Sequence, residues 1–202
     1  MDLSQYLMII ISAVFINNFI LSKFLGLCSF IGVSTDTKPA VSMGLAVTFV
    51  TTMASIISWL VYNYILVPYN ITYLRTISFI LVIASFVQFV EIVIKKISPG
   101  LFRAFGIYLP LITVNCAVLG VAVLNVDMFF KGGHALRGSF FMSVIQGFAA
   151  GVGYVLAMLL MSGIRERLAF LDMPRSFKGV PIAFVIASLM SLAFMGFSGF
   201  RF

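Results

Sequence analysis

The pattern of hydrophobic and polar positions divides the chain into six long apolar segments joined by short polar connections. Segments of roughly 20 apolar residues with few charges are typical of membrane-spanning helices, and they are too long for the strands of a membrane barrel. A helix also satisfies its own backbone amides, as lipid requires. The pattern therefore predicts an all-α integral membrane protein with six transmembrane helices, at roughly residues 3–33, 40–62, 76–94, 101–124, 139–163 and 180–200.

Composition and charge support this interpretation. The chain is 62% hydrophobic and 9% charged, with a mean hydropathy of +1.16, which excludes a soluble domain of this size. Its net charge of +7 comes from basic residues in short loops beside the spans, without a basic stripe interleaved with aromatic residues. We therefore expect the lipid bilayer, and no nucleic acid, as its surroundings. The first residues lack a basic region and a cleavage site, so we expect the first segment to remain as a span.

The basic residues are distributed unequally between alternate loops. One set of loops contains eight Lys and Arg residues, and the other contains Arg75, Lys131, Arg137 and Arg201. Cytoplasmic loops are enriched in Lys and Arg. The richer set is therefore predicted to be cytoplasmic, with both termini outside.

Two short apolar patterns recur in the chain with the same offset of 103 residues. Gly44 and Ala46 in the second segment recur as Gly147 and Ala149 in the fifth. Residues 82–85 in the third segment recur as residues 185–188 in the sixth. Each half of the chain contains three predicted spans. Because three is odd, the second half must enter the membrane from the opposite side. We predict a single membrane domain of two inverted three-helix repeats, about 1–98 and about 99–202.

The two cysteines, Cys28 and Cys116, each open the pattern Cys-x-x-x-Gly-Val, in the first and fourth segments. As one straight helix, the first segment of about 31 residues would measure about 45 Å, against a hydrocarbon thickness of about 30 Å. It must tilt strongly or break. A break in both segments near the midplane is favoured by the polar, glycine and proline residues around the cysteines: Asn17, Asn18, Gly26, Gly32, Pro110, Asn115 and Gly120.

Unwound backbone at membrane depth must be covered by protein or line a cavity, so both cysteines are predicted to lie at a buried site. They could be ordinary small apolar residues or form a disulfide. Thiolates are also soft metal ligands, and an iron–sulfur cluster normally requires four. The single histidine, His134, falls in an outer loop. A metal site would therefore need two more ligands from a second protein chain.

Lys23 is an ionisable residue within the first span. Such a residue must pair internally, meet a cavity or mark an ion path. Asn17 and Asn18 are further candidates for that path. Asn115 and the loosened backbone around Gly26 are candidate hydrogen-bond donors to the metal site, and Gly32 and Gly120 belong to the same candidate surroundings.

Four stretches resemble the A-type membrane proteins of the Rnf family of ion-translocating electron transport complexes: NNFILSKFLGLCSFIGVS, LPLITVNCAVLGVAVLN, IRERLA and LMSLAFMGFSG. The E-type protein of the sodium-pumping NADH:quinone reductase is similar. The resemblance implies that Cys28 and Cys116 supply two ligands of a [2Fe–2S] cluster, with the other two from a paralogous sister protein of opposite orientation, the E-type protein of the Rnf complex. It also implies further Rnf subunits as partners, a location in the bacterial cytoplasmic (inner) membrane, and no catalytic activity of this chain alone.

Complexes of this family pass electrons between reduced ferredoxin and NAD and couple the transfer to Na⁺ or H⁺ movement. Two other classes of function remain open. An ion channel or secondary transporter also predicts inverted repeats and broken helices, although it gives no reason for matched cysteines. A scaffold that docks redox subunits would bind no iron, so iron content separates the redox interpretation from both alternatives.

Overall fold

The computed structural model describes residues 3–69, 71–97, 111–112, 114–131, 134–135, 139–170 and 179–196. Its helices are α1 Leu3–Ile11, α2 Leu27–Val33, α3 Thr37–Val61, α4 Arg75–Ile97, α5 Cys116–Phe129, α6 Ser139–Leu168 and α7 Val180–Met195. The π-helical turns Ser12–Ile16 and Tyr62–Leu66 extend α1 and α3, and the 3₁₀ turn Thr72–Leu74 precedes α4. Two paired strands of two residues each, β1 Phe130–Lys131 and β2 His134–Ala135, follow α5 and are a minor addition to the helical fold.

Apolar helices occur within all six predicted segments. Three are long and apolar enough to cross a membrane: Thr37–Leu66, Thr72–Ile92 and Ser139–Leu168. Three shorter apolar helices accompany them in the described ranges: Tyr6–Ile16, Cys116–Phe129 and Val180–Met195. The helical class is therefore confirmed, whereas six complete spans remain a prediction.

Helices α3 and α6 pack against each other as the antiparallel centre of the molecule. The close approaches along this pair join Gly44 to Val155, Thr48 to Gly151 and Ser55 to Gly147. A Cβ atom built on Gly151 would lie only 2.6 Å from the Thr48 Cα atom. Small residues at such a contact let two membrane helices approach at backbone distance.

The predicted break in the first segment is present. The helix that begins with α1 ends where the Asn17 amide donates to the Ser12 carbonyl at 2.7 Å, and α2 begins only at Leu27. Between them the chain takes left-handed conformations at Phe24 (φ +54°) and Gly26 (φ +83°). In the fourth segment α5 begins at Cys116, while Pro110 lies outside the described residues.

Backbone groups in this break find partners inside the protein. The Asn18 side-chain oxygen accepts from the amides of Ile20 (3.1 Å) and Leu21 (3.4 Å). The Ser191 hydroxyl on α7 donates to the Leu21 carbonyl at 2.7 Å. Unwound backbone tolerates an apolar environment only when its polar groups are satisfied in this way.

Helix α5 is longer than the sequence predicted, since it continues past residue 124 to Phe129. Its polar side chains Asn125 and Asp127 each make a hydrogen bond or ion pair, although the buried Asn125 side-chain oxygen has no partner among the described residues. The buried Asn125 amide nitrogen donates to the Ser55 hydroxyl at 3.1 Å, and Asp127 pairs with Arg75 at 2.5 Å. The predicted loop is therefore partly helix and partly hairpin.

Candidate metal centre

The two cysteine-bearing helices begin beside each other. Cys28 is the second residue of α2, and Cys116 is the first residue of α5. The Gly26 amide donates to the Cys116 Sγ atom at 2.9 Å. Consecutive Cα atoms are about 3.8 Å apart, so the Cys28 Cα atom lies within about 7.6 Å of that of Gly26. The structure thus brings together the two motifs that the sequence places 88 residues apart.

Both thiols are free and lie on the surface of the chain, so this chain alone does not bury the cysteines as the sequence predicts. The residues immediately behind them are closed off, since Asn115 is 3% exposed and Ser29 is fully buried. The site therefore has a tightly packed rear wall and an open front. A second set of ligands could approach only from that front.

A buried hydrogen-bond network ties the rear wall together. The Ser29 hydroxyl donates to the Gly26 carbonyl at 3.0 Å and lies 2.6 Å from the Tyr154 hydroxyl of α6. The Asn115 amide nitrogen donates to the same Ser29 oxygen at 3.3 Å. The Asn115 side-chain oxygen accepts from the Ala117 amide at 3.0 Å and so caps α5. One network therefore joins α2, α5 and α6 directly behind the cysteines.

Gly26 is the glycine that the break requires. Its φ of +83° is a conformation that favours glycine, and a Cβ atom there would lie 3.0 Å from the Asn115 Oδ1 atom. Gly32 and Gly120, predicted as helix breakers, lie inside α2 and α5 instead. Gly120 serves a close approach, because a Cβ atom on it would lie 2.6 Å from the Leu25 Cδ1 atom. Gly32 faces open space, so packing gives no reason for a glycine there.

The three ion-path candidates occupy different environments. Lys23 is exposed within the break, and no ion pair joins it to an acidic residue that the structure describes. The Asn17 side chain donates to the Ser12 hydroxyl at 3.1 Å. Asn18 is buried and uses both ends of its amide to hold backbone. Asn18 therefore has a structural role, and an ion path through these residues stays a prediction.

The donor set of the site consists of two thiols. Among the residues that the structure describes, no group of three or more His, Cys, Asp and Glu side chains could hold a metal ion. His134 lies in β2, beyond the end of α5 opposite to Cys116. The helix between them measures about 20 Å at 1.5 Å per residue. Two exposed thiols on helices that begin beside each other fit half of a four-thiolate centre, completed by ligands from outside this chain.

Sequence reasoning missed Tyr154 and Ser29. The signal for Tyr154 is a phenol within an otherwise apolar and glycine-rich stretch, because a buried tyrosine hydroxyl usually finds a hydrogen-bond partner. Ser29 directly follows Cys28 and gives no signal of its own. Its two side-chain partners, Asn115 and Tyr154, are distant in sequence.

Helix α2 is also held at its far end. The Arg165 Nη1 atom donates to the Ile31 carbonyl at 2.8 Å and to the Ser34 hydroxyl at 3.0 Å. The Glu166 carboxylate accepts from the Thr37 amide at 2.8 Å and from the Thr37 hydroxyl. The guanidinium thus meets the carboxyl end of α2 and the carboxylate meets the amino end of α3, as the helix dipoles favour.

Comparison with known proteins identifies the family. The family described as "Rnf-Nqr subunit, membrane protein" matches residues 6–201. A relative from Shewanella sp. (strain ANA-3), named as the A component of an "Ion-translocating oxidoreductase complex", is 56% identical over 197 residues, 98% of each chain. A relative of the same name from Escherichia coli O139:H28 (strain E24377A / ETEC) is 55% identical over the same shares. The chain therefore belongs to the Rnf-Nqr family of membrane subunits.

Proposed function

We propose that this chain is the A-type membrane protein of an ion-translocating ferredoxin:NAD oxidoreductase complex, the Rnf complex, in the bacterial inner membrane. Cys28 and Cys116 supply two of the four ligands of a [2Fe–2S] cluster, and the paralogous E-type protein supplies the other two. The centre relays electrons across the membrane, coupled to Na⁺ or H⁺ movement. The observation that carries this proposal is the hydrogen bond from the Gly26 amide to the Cys116 sulfur, which brings the two cysteine-bearing segments together at one exposed site.

The position of Cys116 suits a thiolate ligand. It is the first residue of the 14-residue helix α5, where the helix dipole stabilises negative charge. Its sulfur also accepts the Gly26 amide. Because thiolates and not thiols bind metal, these features favour ligation over the alternative of two inert apolar cysteines.

The packing of α3 on α6 supports the inverted repeats that a shared centre requires. In an antiparallel helix pair related by a twofold axis, the residue on the axis contacts its own equivalent. The repeat offset of 103 residues makes Gly151 the equivalent of Thr48. These two residues meet at backbone distance. This contact is the one expected on the axis that the sequence offset predicts, and it supports the proposal of one repeat at about 1–98 and the other at about 99–202.

The residues of this chain hold and shield the centre. The buried network of Ser29, Asn115 and Tyr154 fixes the ends of α2 and α5 from which the thiols project. Its burial keeps water away from the rear of the site. The cluster itself supplies a one-electron carrier that divides a hydrocarbon path of about 30 Å into shorter steps.

The test is EPR spectroscopy with iron analysis on this chain co-expressed with the E-type protein. Wild type is compared with Cys28→Ser and Cys116→Ser, which keep the size of the side chain but replace the soft ligand. We expect a reduced [2Fe–2S] signal in the wild-type pair and loss of most of its iron in either variant. Size-exclusion chromatography confirms that the variant pairs still assemble.

An intact wild-type pair without iron would contradict the shared cluster and favour a channel, a transporter or a docking scaffold. Iron that survives both serine substitutions would place the metal elsewhere. A signal in this chain without its partner would contradict the sharing while keeping the redox role.

A further inference from the structure

We propose that Tyr154 and Ser29 are positioning residues of the metal centre, which hold the backbone of Gly26 through its carbonyl so that its amide donates to the Cys116 sulfur. This inference rests on the proposed function and assigns the residues that tune the centre. It concerns hydrogen bonds behind the thiols, and neither side chain is a ligand.

The direction of the hydrogen bonds follows from the donor count. A serine hydroxyl has one proton and two acceptor lone pairs. The Ser29 proton goes to the Gly26 carbonyl, 3.0 Å away. Tyr154, whose oxygen lies 2.6 Å from that of Ser29, must therefore donate. Asn115 donates to the remaining lone pair at 3.3 Å, so that all three positions on the Ser29 oxygen are used.

This chain of hydrogen bonds ends on the cysteine. Tyr154 donates to Ser29, Ser29 donates to the Gly26 carbonyl, and the Gly26 amide donates to the Cys116 sulfur. The Gly26 carbonyl also accepts from the Phe30 amide at 3.1 Å, the first bond of α2. Gly26 itself is left-handed and has no preceding helix to hold it. The Leu25 amide on the preceding side donates to the Phe19 carbonyl at 2.9 Å. The bonds to the Gly26 carbonyl hold the peptide on the other side, and through the backbone of Gly26 they limit the orientation of its amide.

A hydrogen bond to a ligand sulfur stabilises the reduced form of a cluster more than the oxidised form, because reduction adds negative charge to the sulfurs. Hydrogen bonds to sulfur and burial are among the properties that set the reduction potential of a cluster. Removing the Tyr154 hydroxyl frees Ser29 to rotate and weakens its bond to the Gly26 carbonyl, so that the backbone of Gly26 is held less firmly. The hydrogen bond from the Gly26 amide to the Cys116 sulfur then weakens, and the reduction potential of the cluster falls.

The experiment is an EPR-monitored redox titration of the assembled complex with Tyr154→Phe and Ser29→Ala. We expect the cluster to be retained and its reduction to become about threefold to tenfold less favourable, about 30–60 mV for one electron. The matched control is Tyr62→Phe, which also removes a buried phenol hydroxyl but lies between Phe79 and Phe130. The control should leave the potential unchanged.

The double variant separates one connected network from two independent effects. If Tyr154 acts through Ser29, the double variant shifts the potential no further than the larger single shift. The inference would be overturned if the shifts of the two single variants add up in the double variant. It would also be overturned if both single variants have the same reduction potential as Tyr62→Phe. Neither result would contradict the presence of the cluster. Absence of iron from wild type would instead overturn the proposed function. If the complex with Tyr154→Phe does not assemble, the reduction potential of the complex with the smaller Ser29→Ala substitution tests the inference.

Discussion

At the scale of single residues, Asn18 shows how a polar side chain stabilises unwound backbone inside a membrane protein. Its amide nitrogen donates to the Val14 carbonyl at 3.1 Å and to the Gly153 carbonyl of α6 at 2.9 Å. Its oxygen accepts from the amides that follow it in the break. One side chain thus replaces helical hydrogen bonds and also anchors the break to α6.

Replacing Asn18 by leucine should lower the free energy of unfolding by about 2–4 kcal/mol, because several buried backbone groups lose their partner at once. Denaturant titration of the purified protein in detergent measures the change. Asn17→Leu is the matched control, since Asn17 is half-buried and its side chain bonds the Ser12 hydroxyl. Its cost should stay below about 1 kcal/mol. Equal losses in both variants would contradict the structural role of Asn18.

The candidate site could be predicted from the sequence only as far as residue type and local spacing allow. The matching motifs predict Cys28 and Cys116 as candidates, and Gly26 is a candidate because glycine permits a break. Tyr154 was not found, because its partner Ser29 is separated from it by 125 positions along the chain. No local pattern encodes which buried hydroxyl faces which loop. That information appears only once α2 and α6 are packed.

At the scale of helices, the α3–α6 contact depends on the absence of side chains at particular positions. Gly151→Ala should destabilise the protein by about 1–3 kcal/mol, because the new methyl group would overlap the Thr48 backbone. Gly163→Ala is the control in the same helix, where a Cβ atom meets open space. It should be neutral or stabilise by up to about 1 kcal/mol through helix propensity. Unfolding titrations in detergent compare the two, and an equal response would contradict the close approach.

The helix boundaries show why apolarity predicts the location of a helix better than its ends. The sequence indicated the first break, since the segment is too long and contains polar and glycine residues. It placed the end of the fourth segment too early, at residue 124. Asn125 and Asp127 resembled loop residues, yet both have side-chain partners within the protein. Polar residues continue a helix when a neighbouring element satisfies them, and local sequence does not reveal the neighbour.

At the scale of the whole molecule, two polar clusters mark opposite ends of the central helix α3. Arg165 and Glu166 bond the turn at its beginning, and Arg75 pairs with Asp127 beyond its end. The charge pattern assigns the first group of loops to the cytoplasm and the second to the outside. At each of these two clusters, the side-chain contacts connect loops that the charge pattern places on the same side of the membrane. The packing of the helices is therefore compatible with the sidedness that the charges predict.

Cysteine labelling in intact cells tests this orientation directly. In a Cys28→Ser, Cys116→Ser background, Lys38→Cys places an exposed thiol at the start of α3, and Tyr69→Cys places one after its end. A membrane-impermeant maleimide should label Tyr69→Cys in intact cells and Lys38→Cys only after the inner membrane is opened, because the basic end of the molecule is held in the cytoplasm. Equal labelling of both variants after opening is the control. The reverse pattern would place both termini in the cytoplasm and contradict the charge argument.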